Sequence, residues 1–256
     1  IASNKPVSIN NINSLKKLEY RGYDSAGIAT LQDNFINEKK CSGRVDELEK
    51  ILLKSPSNGN IGIGHVRWAT HGAPNIINAH PHSSENVSVV HNGIIENSDQ
   101  LKKELEDLGL KFKSQTDTEV ITLLITESLK KSKPLESVFE TLNKLKGSFA
   151  LGIIFKDFSD IIIGARRGSP LAVGYSNNEN YLGSDSYALK SMTNKISYLD
   201  DGELCVLTKN QVSFYNSSKK KINKKIHVVS DEENTSDKGD YKNFMSKEIF
   251  EQPVTA

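Results

Sequence analysis

The stretch GHVRWATHG, residues 64 to 72, crowds an Arg, a Trp, a Thr and a His onto the end of an apolar run. The run before it, Ile61 to Val66, is bounded like a buried strand, and Gly72-Ala73-Pro74 is where such a strand must stop. Arg67, Trp68, Thr70 and His71 therefore sit at a strand-to-loop exit, where a rigid scaffold presents working groups. A second stretch, VVHNGIIEN, sets Asn92-Gly93 between two apolar runs. Asn-Gly is the sequence of a tight hairpin turn; equally, an Asn amide and a Gly N–H aimed at one point make an oxyanion hole for a tetrahedral intermediate. A third, SQTDTEV, carries Asp117 and Glu119 at a helix start, where an N-cap at Thr116 or Asp117 and acids in the first turn need no function. Taken singly, Arg67 also reads as a surface ion pair and Trp68, the single Trp, as a core filler. The histidines suggest a different chemistry. His80 and His82 form an HxH with His71 and His91 nearby, and an i, i+2 pair on a strand points to one face, as a metal-dependent hydrolase requires. Pro81 between them argues for a loop, and no HExxH-type ligand helix accompanies them.

The elements that must position these residues follow from periodicity. Ile9 to Glu19 has helical spacing and leads through the Gly-rich turn YRGYDSAG into a strand, IATL. VDELEKILL reads as helix, NIGIGHV and NVSVVHNGII as strands, and SDQLKKELEDLGL as a helix capped by Ser98 and stopped by Gly109. DTEVITLLITESLKKS and PLESVFETLNKLKG are two further helices. After them SFALGIIF, DIIIGARR, LAVGYS, NYLGSD, ISYLDDGELCVLT and QVSFYN read as a succession of strands. Helices bunched between groups of strands predict an α+β layered domain, with sheets packed face to face and helices outside. The stretch from Asn216 to Asp240 is polar and charged, and KKKINKK, residues 219 to 225, reads as a solvated loop or edge strand rather than a patch for an anionic partner.

Bulk properties exclude several classes. The chain has 256 residues, 36% hydrophobic and 25% charged, enough for a real core. Its net charge of +1 gives no broad field for nucleic acid or a membrane surface. No apolar stretch approaches the ~18 residues of a spanning helix. Cys41 and Cys205 lie far apart without CxxC spacing, which predicts no disulfide framework or zinc ribbon. Cys41 reads as the approach to a helix and Cys205 as a buried strand thiol. With no signal-like start in IASNKPVS, the expected compartment is the cytoplasm.

Read together, EYRGYDSAGI, RWATHG, NAHPH, HNGIIEN, TDTE and DKGDYKNFMSKEIFEQP resemble the glutaminase domain of the isomerising glutamine-fructose-6-phosphate aminotransferases, a sugar-aminating branch of the class II glutamine amidotransferases. The resemblance runs in order from the first residues to the last. It implies the four-layer αββα sandwich of N-terminal nucleophile hydrolases, with residues 1–240 as the glutaminase domain and 241–256 as the start of a linker to a sugar isomerase half. It implies that Arg67 grips the α-carboxylate of glutamine and Asp117 its α-ammonium, that Thr70 and His71 line the same pocket, and that Trp68 belongs to a lid. Asn92 and Gly93 would be the oxyanion donors, and Arg21 and Gly22 would hold the amine of the chain terminus. The products would be glutamate and ammonia, the ammonia passing to fructose 6-phosphate to form glucosamine 6-phosphate. No metal or organic cofactor is implied, and a homodimer would form through the isomerase half.

The resemblance also implies a nucleophile these residues lack. In the family a Cys at the mature N-terminus opens a strand reading Cys-Gly-Ile-Val-Gly, and Ile1 aligns about half a dozen residues into it. Neither Cys41 nor Cys205 substitutes for it. In DKGDYKNFM, Asn243 stands where the family commonly has His, and Met245 and Ile249 lie one turn apart on an amphipathic helix. The rival readings are a metal-dependent hydrolase built on His71, His80, His82 and His91, and a glutamine-binding module without catalysis.

Overall fold

The computed structural model describes residues 1–69 and 72–229. Thr70, His71, Asn243 and the amphipathic stretch around Met245 lie outside them. In chain order the elements are α1 (Ser8–Leu18), a 3-10 turn (Glu19–Arg21), β1 (Ser25–Gln32), β2 (Phe35–Ser42), α2 (Val45–Lys54), β3 (Ile61–Arg67), β4 (His82–Ser83), β5 (Val87–Ile95), α3 (Ser98–Asp107), α4 (Asp117–Ser128) and α5 (Pro134–Lys144). Then come β6 (Gly147–Phe155), β7 (Phe158–Arg167), β8 (Ala172–Ser176), β9 (Glu179–Gly183), α6 (Ser186–Leu189), β10 (Lys195–Tyr198), β11 (Leu204–Leu207), β12 (Val212–Tyr215), β13 (Lys221–Ile222) and β14 (His227–Val228).

All strand pairs are antiparallel. β4 to β7 and β11 to β13 form one seven-stranded sheet in the order β13-β12-β11-β7-β6-β5-β4. The facing layer holds β2-β1-β3 and β14-β10-β8-β9, and Ala2 bridges the two groups by pairing with Ile61 of β3 and Asn180 of β9. Strand alternation explains the layers. In β6, Leu151, Ile153 and Phe155 pack under α3, α4 and α5, while Ala150 and Ile154 turn to the inter-sheet core with Ala29, Ile63 and Val173. Both faces of β6 are buried, so it reads as an unbroken apolar run. On the outer face of the second layer, Ile12 and Leu15 of α1 and Val45, Leu48 and Leu52 of α2 cover Ala26 and Ile28 of β1. The result is the expected αββα sandwich.

Three expectations need correction. FINEKKCS is strand β2, so Cys41 lies on a strand and is buried, not on the approach to a helix. Its alternation is masked by Glu38, Lys39 and Lys40, the charged dressing suited to an unpaired sheet edge. Ser98 does not cap α3; it lies within the first turn, after Asn97, whose amide instead ties Lys144 O and Lys146 N. Asn92-Gly93 forms no hairpin, because both residues are paired within β5, toward its C-terminal end, opposite Ala150 and Phe149 of β6. At the other sheet edge the Lys-rich stretch supplies β13, with Lys224 paired to Asp200 and Glu203.

Candidate active site

Of the residues marked by the sequence, Arg21, Arg67, Trp68, Asn92, Gly93 and Asp117 line one cavity of about 330 Å³ between the two sheets; Gly22 does not line it, and Thr70 and His71 lie outside the described residues. Arg67 ends β3 opposite Ser25 of β1 and is 4% exposed, which excludes a surface ion pair. Its guanidinium donates to the carbonyls of Ala73 (3.2 Å) and Gly72 (3.5 Å), folding the chain after β3 back over it. Burial lowers its pKa, opposed by the carboxylates of Asp24 and Asp117, so the site holds a poorly hydrated cation. Trp68 is 65% exposed and is no core filler. The loop beyond it is braced by Asn78, which donates to Ala73 O and Gln115 Oε1 and accepts from the Gln115 N–H.

Alternation along β5 divides its work between two faces. Val89 and His91 turn toward the helices, whereas Val90 turns to the inter-sheet core and carries Asn92 to that side. Gly93 has φ of 147°, and a Cβ there would fall 2.1 Å from Ser148 O, so only glycine lets β6 come this close. Gly22 follows the 3-10 turn, and a Cβ on it would lie 2.7 Å from the Trp68 N–H nitrogen. That close approach seats the YRG turn against the Arg67-Trp68 peptide. Arg21 reaches across to Asp185 at 3.9 Å.

Asp117 opens α4, but its carboxylate does not serve as the cap the sequence suggests. Oδ2 accepts the Ile95 N–H at 2.8 Å, a β5 partner 22 residues away, and Oδ1 lies 3.8 Å from His91 Nδ1. Glu119 is likewise spent on structure, accepting from the backbone of Lys113 and Ser114. Among the described residues, His65, His80 and His82 form a cluster of rings rather than a ligand set. His80 joins Pro81 through a cis peptide bond, and its ring lies 4.4 Å from His65 and 4.9 Å from His82. His80 Nε2 meets Thr118 Oγ1 at 2.7 Å and His82 Nε2 meets Thr116 Oγ1 at 2.8 Å. Burial drives His65 and His82 down to about 3 and His80 well below the ordinary value, helped by neighbouring cations and imidazoles. Among the described residues no three His, Cys, Asp or Glu side chains are grouped to hold a metal. Nor is any helix there long and apolar enough to cross a membrane.

Residues 75–191 match the family described as glutamine amidotransferase domain. The chain is 48% identical over 241 residues to the glutamine-fructose-6-phosphate aminotransferase [isomerizing] of Zymomonas mobilis, covering 94% of the chain and 40% of that protein. It is 48% identical over 254 residues to the enzyme of the same name from Brucella abortus, covering 99% of the chain and 42% of the relative. It belongs to the glutamine amidotransferases. Among solved structures, the amidotransferase superposes on the glutamine phosphoribosylpyrophosphate amidotransferase of B. subtilis, complexed with ADP and GMP, with a TM-score of 0.72 and 26% identity, over 86% of this chain and 49% of that one. The chain thus spans about two fifths of the length of the curated relatives.

Some residues that brace this cavity carried no separate signal in the sequence. Thr118 lies inside the TDTE motif and Asn78 inside NAHPH, yet their partners are 27 to 38 residues away. Asp24, which accepts the Ala69 N–H at 2.8 Å, lies in the Gly-rich YRGYDSAG turn with nothing in its own spacing to mark it.

Proposed function

We propose that this domain hydrolyses the side-chain amide of glutamine and that Arg67, Asp117, Asn92 and Gly93 carry the recognition and the chemistry. The observation that carries the reading is their convergence on one cavity from three separate elements, β3, β5 and α4. Arg67 binds the α-carboxylate bidentately and the Oδ1 side of Asp117 meets the α-ammonium. The Asn92 amide and Gly93 N–H stabilise the oxyanion, a contribution of about 3–4 kcal/mol for one such donor. Trp68 covers the bound substrate, Thr70 and His71 complete its pocket, and Arg21 and Gly22 hold the amine of the nucleophilic residue.

The nucleophile in this reading is a Cys carried ahead of Ile1, and strand register supports it. Ala2 pairs antiparallel with Ile61, and Ile1 and Gly62 exchange backbone hydrogen bonds. Each residue further back pairs one position further along β3, so the fifth ahead of Ile1 falls opposite Arg67, where the Cys of Cys-Gly-Ile-Val-Gly would sit. Its thiolate attacks the amide carbon and its α-amine passes a proton to the departing ammonia; water then cleaves the thioester to glutamate and free thiol. Cys41 and Cys205 are unsuited, since burial pushes both thiols up.

The relatives are named for glutamine, fructose 6-phosphate and isomerisation; in this reading the ammonia goes to fructose 6-phosphate on an isomerase half that follows the linker at residues 241–256, giving glucosamine 6-phosphate in the cytoplasm. The test is a protein with Cys-Gly-Ile-Val-Gly ahead of Ile1. It should release ammonia from glutamine and be labelled on that Cys by an electrophilic glutamine analogue. Peptide mapping that found the label on Cys41 or Cys205 would overturn the assignment.

A further inference from the structure

We infer that Thr118 is a positioning residue whose hydroxyl ties the His80 and His91 rings together and thereby holds the Asn92-Gly93 stretch in place for catalysis. The inference rests on the reading of Asn92 and Gly93 as oxyanion donors. Thr118 has no exposed surface, and its Oγ1 lies 2.7 Å from His80 Nε2 and 3.1 Å from His91 Nδ1. It is one of three consecutive residues that stitch the start of α4 to the site. Thr116 bonds His82, Asp117 bonds the Ile95 N–H, and Thr118 bonds both His80 and His91. His91 directly precedes Asn92 on β5, so Thr118 connects the ammonium-binding residue to the oxyanion strand at that strand's working end.

A hydroxyl has one hydrogen and two lone pairs, so it can donate to at most one of the two rings. It touches Nε2 of one imidazole and Nδ1 of the other. If Thr118 donates to His91 Nδ1, His80 carries its hydrogen on Nε2 and His91 on its own Nε2. If Thr118 donates to His80 Nε2, both rings are protonated on Nδ1. In those two arrangements the histidines share one tautomer; in a third the hydroxyl accepts from both rings, with His80 protonated on Nε2 and His91 on Nδ1. Two rings held by one hydroxyl are more constrained than a single hydrogen bond would leave them.

In the intact protein, Thr118→Val removes the hydroxyl at nearly constant volume. Glutaminase kcat should fall ~10- to 100-fold, the scale of a sub-ångström to ångström displacement of catalytic groups, while KM for glutamine stays within about twofold. Thr118→Ser, which keeps the hydroxyl, should restore kcat to within about twofold. A folded Thr118→Val protein with unchanged kcat overturns the inference, as does a serine variant that falls as far as the valine one, or a rise in KM at constant kcat. Should Thr118→Val fail to fold, nitrogen-15 NMR of the unsubstituted protein at pH 8 decides: His80 protonated on Nδ1 together with His91 protonated on Nε2 leaves two lone pairs facing one hydroxyl hydrogen and overturns the bridge, and every other pairing of tautomers supports it. An Asn92→Asp control separates the two levels. Full activity there removes the oxyanion reading and this inference with it, whereas an inactive Asn92→Asp beside an active Thr118→Val removes only the positioning role.

Discussion

Acidification should destabilise this domain through its buried imidazoles, well above the pH at which carboxylates titrate. His80 and His82 are buried, and the Nδ1 of the half-buried His65 is shielded from water. Burial holds His65 and His82 at about 3 and His80 well below the ordinary value. In the unfolded chain each titrates near ~6.5. Below that pH the unfolded state takes up protons that the native state refuses, so stability is intact above ~6.5 and lost as the pH falls toward the folded values. At pH 5.5 each imidazole costs about 1.4 kcal/mol and the three together about 4 kcal/mol, a large part of a typical domain's stability. The slope there should approach about 4 kcal/mol per pH unit, equivalent to three protons. Urea unfolding followed by circular dichroism at 25 °C, from pH 8 to pH 5.5, reads this directly, provided the urea dependence itself is constant. His82→Gln should shrink the pH-dependent loss by about 1.4 kcal/mol whatever its cost at pH 8. A loss below about 1 kcal/mol across that range would refute the premise that these rings stay neutral in the folded protein.

Arg67→Ala should weaken glutamine or glutamate binding by at least ~2 kcal/mol, the scale of a lost charge-assisted bidentate pair, and calorimetry on the folded variant that found unchanged affinity would remove Arg67 from the binding site. Asp117→Asn should do the same at the ammonium end, with an added stability loss because the Ile95 N–H loses an ionised acceptor. Asn92→Asp, which places negative charge beside the developing oxyanion, should lower glutaminase kcat by ~100-fold or more while the melting temperature moves by only a few degrees; equal activity in the stable variant would end the oxyanion assignment. Gly93→Ala would force a methyl against Ser148 O and should destabilise by ~1–3 kcal/mol in urea titration; unchanged stability would mean that β5 and β6 are further apart than described.

The layered architecture was legible because its signals are local. Apolar runs such as SFALGIIF announce strands buried on both faces, and α3, α4 and α5 show their boundaries through period and flanking turn residues. Strand β2 was not legible, because charge on a sheet edge hides period-2 alternation. The site was legible as a set of motifs but not as a mechanism of support. Asn92-Gly93 has the local chemistry of a turn, and only pairing with Ala150 and Phe149, over 50 residues away, keeps it extended. Asp117 has the local chemistry of a cap, and only the return of β5 gives its carboxylate a different donor. The histidine pair suggested metal because spacing shows where side chains start, whereas the threonine hydroxyls that satisfy the rings come from another element.

The bridge at Ala2 sets a rule about chain length that no side chain expresses. Ala2 pairs with Ile61 and Ile1 with Gly62, so in the proposed reading, where this pairing continues back along β3, the distance from Ala2 to the nucleophilic side chain is counted in whole peptides, and successive side chains alternate between faces. A single-residue insertion or deletion would swing that side chain out of the inter-sheet cavity altogether. A two-residue change would restore its facing but leave it about 6.6 Å out of step with Arg67. Variation in this part of the chain should therefore be tolerated as substitution and rejected as a change of length.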